Sequence, residues 1–167
     1  MKQPKPIHTD LLAAQKCVYE PNRFLYNNVV QEDESQEYGA CTFTMNGKII
    51  KFRVAKITPT KIGQFVTFWK RIANGPIMPY DIDDAFDLLV ISVRSGHSWG
   101  QYIFPKNVLF QNGLISKDGI GGKRAMRVYP PWDITENTQA KKTQDWQNRY
   151  FLEIYPDMDT VKLQKLF

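Results

Sequence analysis

Cys41-Thr42-Phe43-Thr44-Met45-Asn46-Gly47-Lys48-Ile49-Ile50-Lys51-Phe52-Arg53-Val54 is the stretch on which the fold is read. The residues on either side of Asn46-Gly47 are strand formers. Asn-Gly between two such runs is the strongest short signal for a hairpin, because the tight turn needs positive φ at its central residues. The spacing predicts one strand over residues 38–45 and its return over residues 48–57. Side chains alternate between the faces of a strand. Ile50, Phe52, Val54 and Lys56 therefore share one face, and Ile49, Lys51, Arg53, Ala55 and Ile57 the other. The first face reads as core, although it ends in a lysine.

Downstream, Thr58-Pro59-Thr60 closes the return strand and caps a predicted helix, with Ile62, Phe65, Val66 and Trp69 at the spacing of a buried stripe. Residues 86–93 form a near-continuous apolar run, the pattern of a central strand covered on both faces. A loop is expected over residues 94–100. Further strands are expected over residues 101–104, ended by Pro105, and over residues 126–129, before Pro130-Pro131. Upstream, Thr9 is placed to cap a short helix running to about Tyr19. A last long helix, capped by Thr135 or Thr138, carries Ala140, Thr143, Trp146 and Tyr150 along one side, and a tail of mixed character follows. This order of elements predicts an α/β fold, with a central mixed β-sheet flanked by helices. One domain over residues 1–167 is expected, with residues 1–6 as a flexible lead-in.

The composition is that of a globular chain: 43% hydrophobic, 23% charged, net charge +5. A chain of this length buries about 70% of its unfolded surface, enough for a proper core. No run of apolar residues is long enough to span a membrane, and the N-terminus has no apolar signal core. Cys17 and Cys41 do not make a disulfide framework, and both are expected as buried thiols in a reducing compartment. The expected location is the cytoplasm.

Charge is more informative in its arrangement than in its total. Residues 38–80 contain no acid and seven bases: Lys48, Lys51, Arg53, Lys56, Lys61, Lys70 and Arg71. A one-signed folded surface attracts polyanions, and nucleic acid is the commonest of these. The plain alternative is a solvated face balanced in space by the flanking acids, Glu32, Asp33, Glu34 and Glu37 before it and Asp81, Asp83, Asp84 and Asp87 after it.

Three blocks carry a family resemblance. The first is Glu37-Tyr38-Gly39-Ala40-Cys41-Thr42-Phe43, with Asn46-Gly47-Lys48 and residues 52–66. The second is Gly122-Lys123-Arg124-Ala125-Met126-Arg127-Val128-Tyr129-Pro130-Pro131-Trp132-Asp133. The third is Gln139-Ala140-Lys141-Lys142-Thr143-Gln144-Asp145-Trp146-Gln147. Together they resemble the MepB family, named for a bacterial protein encoded beside a multidrug efflux pump and its repressor. The resemblance implies a restriction-endonuclease-like core of the PD-(D/E)xK type and a possible link to drug response, without an established reaction.

In that pattern an acid and a lysine two residues later share a strand face. The acid holds a divalent metal through oxygen, and metal and lysine stabilise charge on phosphate. Here Lys56 stands in the lysine place and Val54 where the acid belongs. Glu37 can mimic a family carboxylate from the preceding segment, but one carboxylate makes a poor Mg²⁺ site. The site Glu37, Val54, Lys56 is therefore degenerate, and Lys56 is expected as a phosphate contact in the former cleft or as a lysine reaching to solvent.

The remaining constellations are weaker. Gly119-Ile120-Gly121-Gly122-Lys123-Arg124 can cradle a phosphate or form an ordinary turn, and it lacks the P-loop spacing. His97-Ser98 has no third member and His8 stands apart. Asp81, Asp83, Asp84 and Asp87 lack the glycine and glutamate of a calcium loop. Trp99, Tyr102, Trp132 and Trp146 are core or base-stacking candidates, Trp99 and Trp132 the better two.

The sequence thus points to a non-enzymatic nucleic-acid-binding protein with phosphate-backbone contacts and low sequence specificity, single-stranded DNA or RNA favoured over duplex. Lys48, Lys51, Arg53, Lys56, Lys61, Lys70, Arg71, Lys123, Arg124 and Arg127 are the expected contacts, with no cofactor and no metal. Two alternatives stay open: a metal-dependent nuclease with migrated acids, Glu37 with Asp87, and a small-molecule or protein binding module.

Overall fold

A computed structural model describes residue 3 and residues 5–167. Residues 1, 2 and 4 of the expected lead-in lie outside the described residues. The chain opens with α1 (Thr9–Ala14), which widens into a π-helical segment (Gln15–Tyr19). There follow β1 (Tyr26–Gln31), β2 (Cys41–Met45), β3 (Lys48–Val54), β4 (Lys56–Ile57), β5 (Gln64–Thr67), β6 (Lys70–Arg71) and β7 (Ile77–Met78). Next come β8 (Leu88–Ser95), β9 (Ser98–Pro105), α2 (Lys106–Gln111), β10 (Ser116–Lys117), β11 (Ile120–Gly121) and β12 (Ala125–Val128). The chain ends with α3 (Thr138–Asn148), β13 (Phe151–Tyr155) and α4 (Thr160–Leu166).

The main sheet is mixed and runs β1-β2-β3-β8-β9-β13. The β2–β3 hairpin turns at Asn46-Gly47, both at positive φ, and pairs Cys41 with Phe52 and Met45 with Lys48. β8 lies parallel to β3, and the other neighbours in the sheet are antiparallel. Six consecutive residues of β8, Leu88 to Val93, are buried. Leu88 and Val90 face a core shared with α1, α4, Phe43, Ile50 and Phe52. Leu89, Ile91 and Val93 face a second core closed by Val66, Met126, Val128, Leu109 and Trp146. Burying each such side chain is worth about 1.5–3 kcal/mol, so β8 is the spine of the molecule.

The expected helix after Thr60 is absent. Gln64–Thr67 is a strand, the centre of a three-stranded sheet ordered β12-β5-β4. Val66 turns inward while Phe65 turns outward, an alternation that the proposed helical stripe conflated. Gly63 explains the outcome. It sits at φ +85, and a Cβ there would lie 2.8 Å from the Val128 carbonyl oxygen and from the Tyr129 ring. The chain can approach β12 this closely only through a glycine in the left-handed region, which a helix does not contain.

Other expectations shift at their boundaries. The loop over residues 94–100 is the tip of the β8–β9 hairpin, with both strands continuing through it. The mixed tail holds a full edge strand, β13, and α4. His8, not Thr9, caps α1: its Nδ1 accepts the Asp10 N–H at 3.0 Å. Asn137 caps α3, accepting the Ala140 N–H at 2.8 Å, while Thr135 bonds Gln144. Cys41 is buried and its thiol is pushed up to about 11 by burial and by the nearby Glu32 charge. Cys17 is exposed on the π-helical segment, against the expectation of burial. Among the described residues, no helix is long and apolar enough to cross a membrane.

Candidate nucleic-acid interface

The acid-free segment does not form a free basic face. Its flanking acids fold back onto it. Arg53 is fully buried, and each of its side-chain nitrogens is spoken for: Nε donates to the Thr67 carbonyl at 3.3 Å, one terminal nitrogen to the Phe52 carbonyl at 2.9 Å, the other to Glu32 at 2.7 Å. Its guanidinium also lies over the Phe68 ring. Lys51 reaches the other oxygen of Glu32 at 3.2 Å and donates to the Thr42 hydroxyl. Burial pushes the Glu32 carboxyl up, but Arg53, Lys51 and the Thr42 hydroxyl together outweigh it and hold the group below its ordinary value of 4.5.

The same pattern repeats outward. Lys70 pairs with Asp84 at 2.7 Å and Arg71 with Glu34 at 2.8 Å. Lys56 reaches Glu37 at 3.4 Å with both side chains largely exposed, and lies over the Tyr38 ring. Five of the seven bases are thus paired, and Arg53 is out of reach of any phosphate. Lys48 and Lys61 alone among the seven have no acid partner among the described residues.

The degenerate site is also dispersed. β3 ends at Val54, which packs into the first core, and the chain leaves the main sheet after Ala55, whose N–H still donates to the Ser92 carbonyl of β8. Lys56 belongs to the smaller sheet, opposite Phe65, so it does not share a strand face with Val54. Asp87 accepts the Ile49 N–H at 2.7 Å, at the start of β3, whereas Glu37 lies beside Lys56, beyond its end. The length of β3 from Ile49 to Val54, about 16 Å at the rise of a strand, lies between them, too far for one metal. Among the described residues, no three carboxylate, imidazole or thiol groups cluster as metal ligands would.

The unpaired cations meet elsewhere. An open groove of about 550 Å³ runs between the outer face of the smaller sheet and α3. Lys61, Lys123, Arg127 and Lys142 line it, and no acid does. β12 and β5 put Arg127 directly opposite Phe65 on that outer face, with the guanidinium 5.9 Å from the ring. Arg127 is steadied by the Thr58 hydroxyl at 2.9 Å and by the carbonyls of Ile62 and Gly63. It therefore keeps its charge uncancelled. Trp146 and Tyr129 supply aromatic wall, and Gln147 fixes β12 to α3 by accepting the Tyr129 N–H and donating to the Arg127 carbonyl.

Of the expected contacts, the groove gathers Lys61, Lys123 and Arg127. Arg124 is exposed just outside its lining and Lys48 lies at the β2–β3 turn. Lys142 is the cation that sequence reasoning passed over. Gln139, Lys142 and Trp146 follow helical spacing on one side of α3, so the signal was present in the same helix that was read for its packing face.

The glycine turn has an acid beside its first N–H. It is the β10–β11 hairpin, and the Gly119 N–H donates to the Asp81 carboxylate at 3.2 Å. Asp81 and Asp84 cap turns in their own segment, accepting the Asp83 and Asp81 N–H groups. Trp99, expected as a stacking candidate, is buried under the Arg94 guanidinium with its N–H on Ser92. Tyr102 is buried in the second core, while Trp132 and Trp146 remain half-exposed.

Comparison with known proteins places this arrangement. Residues 32–153 match the MepB-like family. A solved crystal structure of MepB superposes with a TM-score of 0.78 at 33% identity, over 89% of this chain and 98% of that one. No curated protein matches. With the family match spanning well over half of the sequence, β3, the smaller sheet and α3 included, the chain belongs to the MepB-like family.

Proposed function

We propose that the protein binds nucleic acid through the phosphate backbone, without cutting it, and that the groove between the smaller sheet and α3 is where it does so. The observation that supports this is the lining itself: four cations and no acid. Unpaired cations along a groove release counterions when phosphates replace them, which gives affinity without reading sequence. The sequence carries no helix-turn-helix or other duplex-reading motif, and half-exposed aromatic walls suit splayed bases. Single-stranded DNA or RNA is therefore the favoured ligand.

Cleavage would need a different chemistry from the one these residues offer. Val54 occupies the acid place of the nuclease pattern, and Glu37 and Asp87 stand at opposite ends of β3. Fluorescence anisotropy with a labelled single strand tests the proposal. The wild type should bind, and charge reversal by Lys123→Glu with Lys142→Glu should weaken binding at least about a hundredfold, given a contribution on the order of a tenfold loss per cancelled contact with further loss on reversal. Undiminished binding by the double variant would move the site elsewhere, and an absence of binding by the wild type would defeat the proposal.

A further inference from the structure

Beyond Lys61 the surface changes character. The cationic groove ends there, and a second depression of about 350 Å³ begins, sharing Lys61 with it. Ile57, Ile62, Trp132 and Ile134 line this trough. Ile57 is 62% exposed, Ile134 83% and Ile62 36%. Single exposed apolar residues are ordinary on a protein surface. Three isoleucines around one tryptophan in one depression are a different matter, because contiguous apolar surface marks a place that something covers. The Trp132 ring is held edge-on by Phe151 at 5.8 Å, so it presents a fixed wall.

We infer that this trough receives an unpaired nucleobase of the same strand whose phosphates lie in the groove. The inference rests on the groove being a phosphate-binding site, and it adds what the groove alone does not specify: where a base of that strand is held. Asp133 decides the division of labour. Asp133 belongs to the trough lining. A carboxylate there repels phosphate, so the backbone stays on the Lys61 side. The same oxygen atoms accept hydrogen bonds from the amino or imino N–H of a base edge. Apolar walls with a carboxylate acceptor among them suit a base, and cations with no acid suit a backbone; Lys61 stands at the join. A duplex keeps its base faces stacked inside and offers this trough only sugar and phosphate.

The test uses the full chain and three labelled probes of equal length: an oligothymidine, an abasic deoxyribose-phosphate strand, and a blunt duplex. Ile57→Ser with Ile134→Ser changes only exposed side chains. Anisotropy titrations should show the wild type binding the oligothymidine about tenfold more tightly than the abasic strand, the size of one lost base contact. The double serine variant should bind oligothymidine as weakly as the wild type binds the abasic strand, with duplex affinity unchanged. Equal affinity of wild type and variant for oligothymidine, or of the wild type for the normal and abasic strands, overturns the inference and leaves the groove standing. A wild type that binds none of the probes removes the groove, and the trough with it. Sedimentation velocity supplies a further check: a dimer that dissociates on the same substitutions would assign the trough to a second copy and overturn the inference.

Discussion

Lys51, Arg53, Lys56, Lys70 and Arg71 each face a carboxylate, whereas Lys61, Lys123, Arg127 and Lys142 face none. The first set comes from one acid-free stretch of sequence. The second is assembled from β12, the glycine hairpin, α3 and the loop before β5. A charge run and a surface potential are thus different quantities. Acids at both ends of the run are brought back over it by β1 and by the connection into β8, and they cancel what the sequence shows as one sign. The other four, Lys61 from the same stretch and three cations from the second half of the chain, escape this because none forms an ion pair among the described residues.

The paired region depends most on Glu32. Glu32→Gln leaves Arg53 wholly buried without its counter-charge, and removal of one partner of a buried pair costs about 3–5 kcal/mol. Chemical denaturation should show that loss as a lowered midpoint. A change below about 1 kcal/mol would mean that the carbonyls of Phe52 and Thr67 suffice for Arg53. In the groove the expectation is reversed: Lys123→Glu with Lys142→Glu should alter stability by no more than about 0.5 kcal/mol per site, since both side chains are exposed and unpaired, while abolishing most of the binding.

Acid titration separates the regions further. The Glu32 carboxyl is held below its ordinary value of 4.5 in the folded chain. Its contribution to stability is therefore complete above that value and is lost as pH falls through the folded-state value. Thermal melts taken from neutral pH downward should show a stability loss on the acid side that Glu32→Gln lacks. The smallest expected effect is at Lys56. Its contact with Glu37 is exposed on both sides, so Lys56→Ala should cost less than about 1 kcal/mol, and strand affinity should hardly change. A large loss of binding in Lys56→Ala would return the interface to the degenerate nuclease position.

The β2–β3 hairpin and β8 were legible because their signals are local: Asn46-Gly47 for the turn, a continuous apolar run for a strand buried on both faces. The register of β3 was legible too, with Ile50, Phe52 and Val54 turned to the first core. The strand Gln64–Thr67 was not, because Ile62, Phe65, Val66 and Trp69 satisfy a helical spacing and the deciding contact, Gly63 against Val128 and Tyr129, spans the chain. β13 was hidden for a similar reason. An edge strand is defined by its partner, here Phe151 against Tyr102, and a short mixed segment carries little signal alone. Of the groove cations, Lys61, Lys123 and Arg127 were among the residues named from sequence, but their convergence with Lys142 depends on how α3 packs on the smaller sheet. The role of Arg53 was misread because the position of Glu32, on a loop after β1, cannot be derived from local pattern.

Salt dependence of single-strand binding reads how many groove cations meet phosphate. If the four groove cations neutralise phosphates, log K against log salt should fall with a slope of about −2.8, at about −0.7 per phosphate for a single strand. Lys123→Glu with Lys142→Glu should flatten that slope, and Lys48→Ala with Lys51→Ala should leave it unchanged. A flat response in the wild type, or a slope that survives the groove substitutions and disappears with those on β3, would contradict the account.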